Sequence, residues 1–511
     1  MKFFFFYICL SVCLSASITR KPYLQNGSTS SMTVMWRTEN STIGTVEFGE
    51  TISYGSSLIS PAGNLHEVEI TGLSPNTKYF YKVTSDGDTE SSWFRTFPVS
   101  SDIPVTFAVN GDTRNSTSYL EDDNLAIQAW QTEYEPYFNL NNGDIVEKGE
   151  PLTGSYWQSF FDTTSNLLAQ SPCYITTGNH DYNGEILSSG YVENFSFPTN
   201  GPESLSERVY SFDCGDVHVT AAEIHYDPGT AYLPGTKQFN FITNDFASTD
   251  KPWKIFVMHN PIFSSGRSGY LSDNEWAKKR ATNMFSYYVP EFEKYGINLV
   301  LSGHDHFYER SIKDNITYLV VAIKTGEKFS QPNPYHVYGN ESGCGGVVSI
   351  TGRYLYGTVA HKGDGENNVE VIDSFIITNK ASVYFTSSNY SVNENDGFID
   401  VFVARSGNDE FATTVHYDTL NGTASSGQDY TEASGELSWQ SGDTSIKSID
   451  ISINGTYPNA PSKNFYVVLS SPNNTFLVSP STAEVTINST PEPGMFLSYI
   501  ILLLIILFYN K

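Results

Sequence analysis

The chain has 511 residues, too many for one ordinary domain and enough for two to four. It carries 29 Lys and Arg against 56 Asp and Glu, a net charge of −27, so its surface repels nucleic acid and anionic membranes except at a local basic or metal site. An aromatic content of 14% argues against a disordered chain.

Residues 1–17, MKFFFFYICLSVCLSAS, join a Lys, an apolar core and a small-residue end, the pattern of a secretory signal cleaved near Ser17. The apolar run is short for a transmembrane anchor. Its removal takes Cys9 and Cys13 and leaves Cys173, Cys214 and Cys344, which allow at most one internal disulfide. Cys173 lies in the strand-like CYIT and is expected to be a buried, inert thiol.

Residues 18–98 alternate apolar and polar at 31–38, 45–50, 66–73 and 78–85, with Gly, Pro and Asn between, which predicts a small β-sandwich. It holds no ionisable cluster of catalytic spacing. Residues 103–380 change character. VTFAVNGD, CYITTGNHD, KIFVMHNP and INLVLSGHDH each run apolar and then break into Gly, Asn, Asp or His. Helical patterns at 120–138 and 275–296 lie between, the second preceded by a Ser272/Glu275 capping box. Buried strands alternating with helices predict an α/β layered core, with ligands at the strand carboxyl ends. Residues 381–489 return to pure β, with Ile399, Val401 and Val403 on one face of a strand in a separate sandwich. Residues 490–511 hold an apolar run from Phe496 to Phe508, which as a helix reaches ~20 Å, short of a ~30 Å hydrocarbon core. The fold class is thus multidomain, an α/β core between two all-β sandwiches.

Chemistry concentrates at the strand ends of the core: Asp112, Asp144, Asn179, His180, Asp181, His259, His304 and His306. Carboxylate, amide oxygen and imidazole suit borderline divalent metals, and the absence of cysteine argues against structural zinc. One ion needs three or four protein ligands, so six candidates suggest two ions, ~3.5–4 Å apart. A lone Gly-Asp or a lone His carries little weight. The order GD, GD, GNHD, H, GHDH, each after an apolar strand, carries much more.

That order resembles the calcineurin-like metallophosphoesterase superfamily, and most closely its purple acid phosphatase branch, over residues 19–380. RKPYLQNGSTSSMTVMWRT, HEVEITGLSPNTKYFYKV and FRTFP look like the fibronectin-type-III-like domain that precedes the catalytic domain there, and GHDHFYERS looks like the branch's GHxHxYER element. The resemblance implies a binuclear-metal phosphoesterase using two divalent ions (Mn, Fe or Zn). Asp112 and His306 would hold the first, Asp144 would bridge, and Asn179, His259 and His304 would hold the second. His180 would bind the phosphoryl group or protonate the leaving oxygen, with Asp181 orienting it. Two positions depart from the branch. The tyrosine that binds ferric iron is replaced by Glu147, and a histidine common elsewhere in the superfamily by Arg114. Without the tyrosinate no purple Fe(III) centre is expected. Glu147 is a candidate substitute ligand, Arg114 a phosphate clamp or a solvated charge, and His225 a substrate-side or loop histidine. His218 is read as structural, and Asp305 as pointing away from the metals.

The third domain, through SVNENDGFIDVFVARSG, HYDTLNGTASSGQDYTEASGELSW and FYVVLSSP, resembles Calx-β repeats. Members often bind calcium through loop carboxylates, and Glu394 and Asp429 occupy matching positions, while Asn454 and Lys463 stand where acidic residues are usual. The tail, with Pro491-Glu492-Pro493 and terminal Lys511, resembles a PEP-CTERM sorting signal, implying a sorting protease as partner; a lipid-anchor signal is the other reading. The expected protein is a secreted or surface-associated hydrolase acting on a phosphoester substrate, with no nucleic-acid-binding surface evident. The alternative is a non-catalytic surface protein with a degenerate phosphoesterase domain.

Overall fold

The computed structural model describes residues 18–489 except 100–102, 115–117, 152–153, 185, 224–232, 332, 366–367, 380, 407–408, 410, 455–460 and 478–479. The signal, the tail and His225 therefore lie outside the described residues. The chain divides into two compact units, the first ending at Thr378 and the second running from Asn379, with the short segment Glu293–Gly296 grouped with the second.

The first unit opens with an antiparallel sheet around Trp36, Val46, Ile70, Tyr81 and Phe94, all fully buried. The two strands expected at 31–38 and 45–50 are one strand, Ser31–Gly49. Its first half pairs with Ile18–Gln25 and its second with Lys78–Ser85, and a register shift between Arg37 and Gly44 lets one strand serve both partners. This sheet is bolted to the core by hydrogen bonds from Tyr23 Oη to the Asn194 carbonyl (2.7 Å) and from Gln25 Nε2 to the Cys173 carbonyl (3.2 Å).

The core is two sheets face to face. In one, Val105–Asn110, Phe138–Asn141 and Cys173–Ile175 run parallel. In the other, Val217–Ala221, Trp253–Val257, Leu299–Ser302 and Ile316–Val320 run parallel. The apolar runs of these strands are buried on both faces, as parallel strands under helices must be. Phe107, Leu140, Val219, Ile255, Leu301 and Leu319 fill the space between the sheets. Helices Ser118–Thr132 and Ser155–Leu168 pack near the first sheet and its neighbours. Lys237–Ser248 and Glu275–Tyr295 meet the second through the Phe246, Tyr288 and Phe292 rings around Phe256. The expected layered core is present.

Two helix boundaries differ from expectation. The helix expected over 120–138 stops at Thr132, because Pro136 cannot continue it and Phe138 starts a strand. The expected Ser272 cap falls on Asn274, whose side chain accepts from the Trp276 and Ala277 amides at 3.0 and 3.1 Å; Ser272 instead supports the Asn274 amide. Cys173, Cys214 and Cys344 are buried free thiols, each pushed up by burial.

The second unit is a β-sandwich of its own. Ile399, Val401 and Val403 share its core with Trp439, Phe465 and Val467, as the alternation predicts.

Candidate metal centre

Five parallel strands end together, and each hands its chain to the site through a tight turn. Asp112, Arg114, Asp144 and His304 all have left-handed backbones (φ 49, 30, 53 and 68°), a region non-glycine residues seldom occupy. Gly178 and Gly303 are glycines because of close approach: a Cβ there would strike the carboxylates of Asp144 and Asp112 respectively. That is the physical content of the glycine in GNHD and in GHDH.

On one side, donor atoms of Asp144, His259 and His304 lie within 4.8 Å of one another. His259 Nε2 is 3.1 Å from His304 Nδ1, 3.2 Å from Asn179 Oδ1 and 3.4 Å from Asp144 Oδ1. His259 Nδ1 faces the Asn142 carbonyl at 2.8 Å, which fixes the ring and presents Nε2 inward. Burial pushes His259 down, yet the Asp144 charge outweighs it and draws the imidazole up to about 9. Burial, then the His259 charge, push His304 well down, leaving it a neutral donor. Burial would raise Asp144, but His259, His180 and Arg114 hold it below the usual carboxylate range. A cation placed among these atoms takes the part the His259 proton plays here. The set fits one divalent ion.

The other side is different. Asp112 Oδ2 accepts from the His304 amide at 2.8 Å, and Oδ1 lies 3.4 Å from His306 Nε2. Between them and Asp144 stands Arg114, its Nη1 3.3 Å from His306 Nε2 and 3.8 Å from Asp144 Oδ2. Arg114 is 5% exposed, so the solvated-charge reading does not hold. Its Nη2 bonds Glu147 Oε1 at 2.8 Å, and Lys324 takes Glu147 Oε2 at 3.0 Å. Both Glu147 oxygens are thus engaged by basic groups. The residues on this side do not fit a second ion as they stand.

His180 and Asp181 divide the work differently from expectation. Asp181 does not orient His180. Its carboxylate accepts from the Gly178, Asp144 and Ile145 amides (2.8, 3.0 and 3.0 Å) and shapes the turn that carries Asp144. Burial and the Asp144 charge push it up to about 7. The His180 ring is set by the Glu147 carbonyl, 2.6 Å from Nδ1, while its amide donates to Asp144 Oδ1 at 2.7 Å.

Three residues escaped the sequence reading. Glu327 lies 3.4 Å from His306 Nδ1 and 2.8 Å from Arg267 Nη2, and Lys324 holds Glu147. Lys324 and Glu327 belong to KTGEK, which follows the buried run ITYLVVAI; an apolar strand breaking into a polar Gly turn is the same signal that marked the others. Asp305 points away from the donors, as alternation predicts, and accepts from the Ser264 hydroxyl and the Ser268 amide. His218 sits apart between Asp213 and Asp245, at 2.7 and 2.9 Å. In the second unit Glu394 and Asp429 are buried, and Asp429 receives Lys463 Nζ at 2.6 Å and the Ser425 amide at 2.8 Å.

Comparison with known proteins bears on the fold. Residues 106–308 match the model of calcineurin-like phosphoesterases, 20–98 that of the purple acid phosphatase N-terminal domain, and 377–491 that of the Calx-beta domain. The chain is 29% identical to a probable purple acid phosphatase 20 of Arabidopsis thaliana over 51% of this chain and 59% of that one. It is 26% identical to a phosphoenolpyruvate phosphatase of Allium cepa over 53% and 55%. In structure it resembles a purple acid phosphatase from yellow lupin seeds (TM-score 0.57, 20% identity, 70% of this chain and 74% of that one). It also resembles PhoD (TM-score 0.58, 14% identity, 72% and 91%). The core therefore has a purple acid phosphatase-like phosphoesterase fold, with an N-terminal β domain before it and a Calx-β sandwich after it. The chain spans between half and three-fifths of the length of the curated relatives it matches.

Proposed function

We propose that this chain is a metal-dependent phosphoester hydrolase, secreted or held at the cell surface after removal of residues 1–17, its tail being the substrate of a sorting protease. The observation that carries the reading is the convergence of Asp144, Asn179, His259 and His304 at the ends of strands from both sheets. Asp144, Asn179, His259 and His304 would hold a divalent ion, manganese, iron or zinc, which when bound would supply positive charge to the phosphoryl oxygens and lower the pKa of an attacking water. The motif order implies two such ions; the donors for one are assembled.

The chain's own residues supply the rest. His180 spends its Nδ1 proton on the Glu147 carbonyl, so Nε2 is the atom that holds or gives a proton to a leaving oxygen. Arg114 presents a planar set of donors suited to phosphoryl oxygens. Asp181 fixes the turn bearing Asp144, so the carboxylate is positioned before substrate arrives.

The test is metal analysis with p-nitrophenyl phosphate and bis-p-nitrophenyl phosphate assays on the wild type and His304→Ala. Bound metal, with turnover that the substitution abolishes, is the expected result, and the two substrates separate monoester from diester preference. Absence of metal and turnover across Mn, Fe and Zn would return the reading to a non-catalytic surface protein.

A further inference from the structure

We infer that this centre works with one metal ion and one organic cation, the Arg114 guanidinium holding the place of an ion on the Asp112 and His306 side. The inference rests on the phosphoesterase reading and specifies its cofactor. Arg114 Nη1 lies 3.3 Å from His306 Nε2 and 3.8 Å from Asp144 Oδ2, atoms that an ion in that place would draw to ~2.0–2.2 Å. Such an ion would crowd the guanidinium nitrogen, and two like charges would share a largely buried site.

Arg114 is not positioned to swing clear. It is 5% exposed, its Nη2 is tied to Glu147 at 2.8 Å, and Lys324 clamps Glu147 from the other side. Its own amide reaches back to the Asp144 carbonyl at 3.4 Å, so backbone and side chain both lean on the strand end that carries the shared carboxylate. The buried Nε has no hydrogen-bond partner among the described residues, which leaves a donor for a bound oxyanion. The substitution also accounts for Glu147. Its carboxylate neutralises the buried guanidinium. Buried Asp112 Oδ1 lacks a hydrogen-bond partner among the described residues and is the oxygen an ion on this side would take. The experiment must therefore count ions.

Purified full-length protein is loaded with excess Mn²⁺, desalted, and measured for metal content and by electron paramagnetic resonance. The wild type is expected to hold one ion per chain with an uncoupled six-line spectrum. His304→Ala falls below one, and His306→Ala keeps one. Arg114→Ala and Arg114→His rise to two, with an exchange-coupled spectrum. Two coupled ions in the wild type would overturn the inference while leaving the hydrolase reading intact. No ion in the wild type would overturn both. One ion in the wild type but still one in both Arg114 variants, each folded by circular dichroism, would overturn the role given to Arg114.

Discussion

The two halves of the centre use similar residue types to opposite ends. On the Asp144 side, Asp144, His259, His304 and the Asn179 amide oxygen face one another, and Arg114 approaches only Asp144 Oδ2, at 3.8 Å, so their mutual charge is relieved by a shared proton or by an ion. On the Asp112 side, Arg114 and Lys324 are already inside, and Glu147 and Glu327 are arranged around basic groups. His304 and His306, one residue apart, fall on either side of this divide.

The largest predicted effect follows from that divide. His304→Ala removes a donor from the assembled set and loses the several kcal/mol a bound cation contributes, about 10³-fold in kcat/KM. His306→Ala removes a partner of Arg114 and Asp112, and the cost is expected to be ~10–100-fold, the range for loss of a supporting partner. Steady-state kinetics on one substrate decide the matter. Equal losses would mean that both histidines serve ions and that the two halves are alike.

Much of this was legible in the sequence because buried parallel strands are apolar throughout and their polar punctuation falls at one end. That logic located Asp112, Asp144, Asn179, His259, His304 and His306 without reference to distance. It did not reveal what Arg114 touches, since a buried arginine and a solvated one look the same in a loop. Nor did it reveal that Asp181 serves three backbone amides, because residues 179–181 close into a 3₁₀ turn that brings the carboxylate back onto the Gly178 amide. KTGEK was passed over because it carries no histidine or aspartate, although its strand-then-glycine pattern matched the rest.

The second unit offers a parallel to Arg114. Asp429 is a position where resemblance implies calcium, and Lys463 Nζ sits 2.6 Å from its carboxylate. Asp429 is 3% exposed, so removing the lysine leaves a buried carboxylate short of a charged partner. Lys463→Met is predicted to destabilise the sandwich by about 1.5–3 kcal/mol, the contribution of a charged hydrogen bond. Millimolar calcium should not shift the wild-type thermal transition. A clear rise with calcium would show that the lysine yields to the ion, and the parallel with Arg114 would break.

His218 supplies the control, a histidine between carboxylates with no ion implied. Burial pushes its pKa down, but Asp213 and Asp245 outweigh this and raise it to about 8, with Lys251 facing Asp213 at 4.0 Å and Thr220 sharing Asp245. A raised folded pKa makes the cluster stabilising while the imidazole is protonated. The contribution, about 2 kcal/mol for a rise of this size, is complete below the unfolded value near 6.5 and is lost as pH climbs through about 8. Comparing His218→Gln with the wild type by chemical denaturation from pH 6 to 9 should therefore give a stability gap that narrows by about 2 kcal/mol, with metal content unchanged. A gap constant across that range would mean that His218 is held by packing rather than by charge. The contrast between a proton-bridged cluster and a metal-bridged one would then have to rest on the site alone.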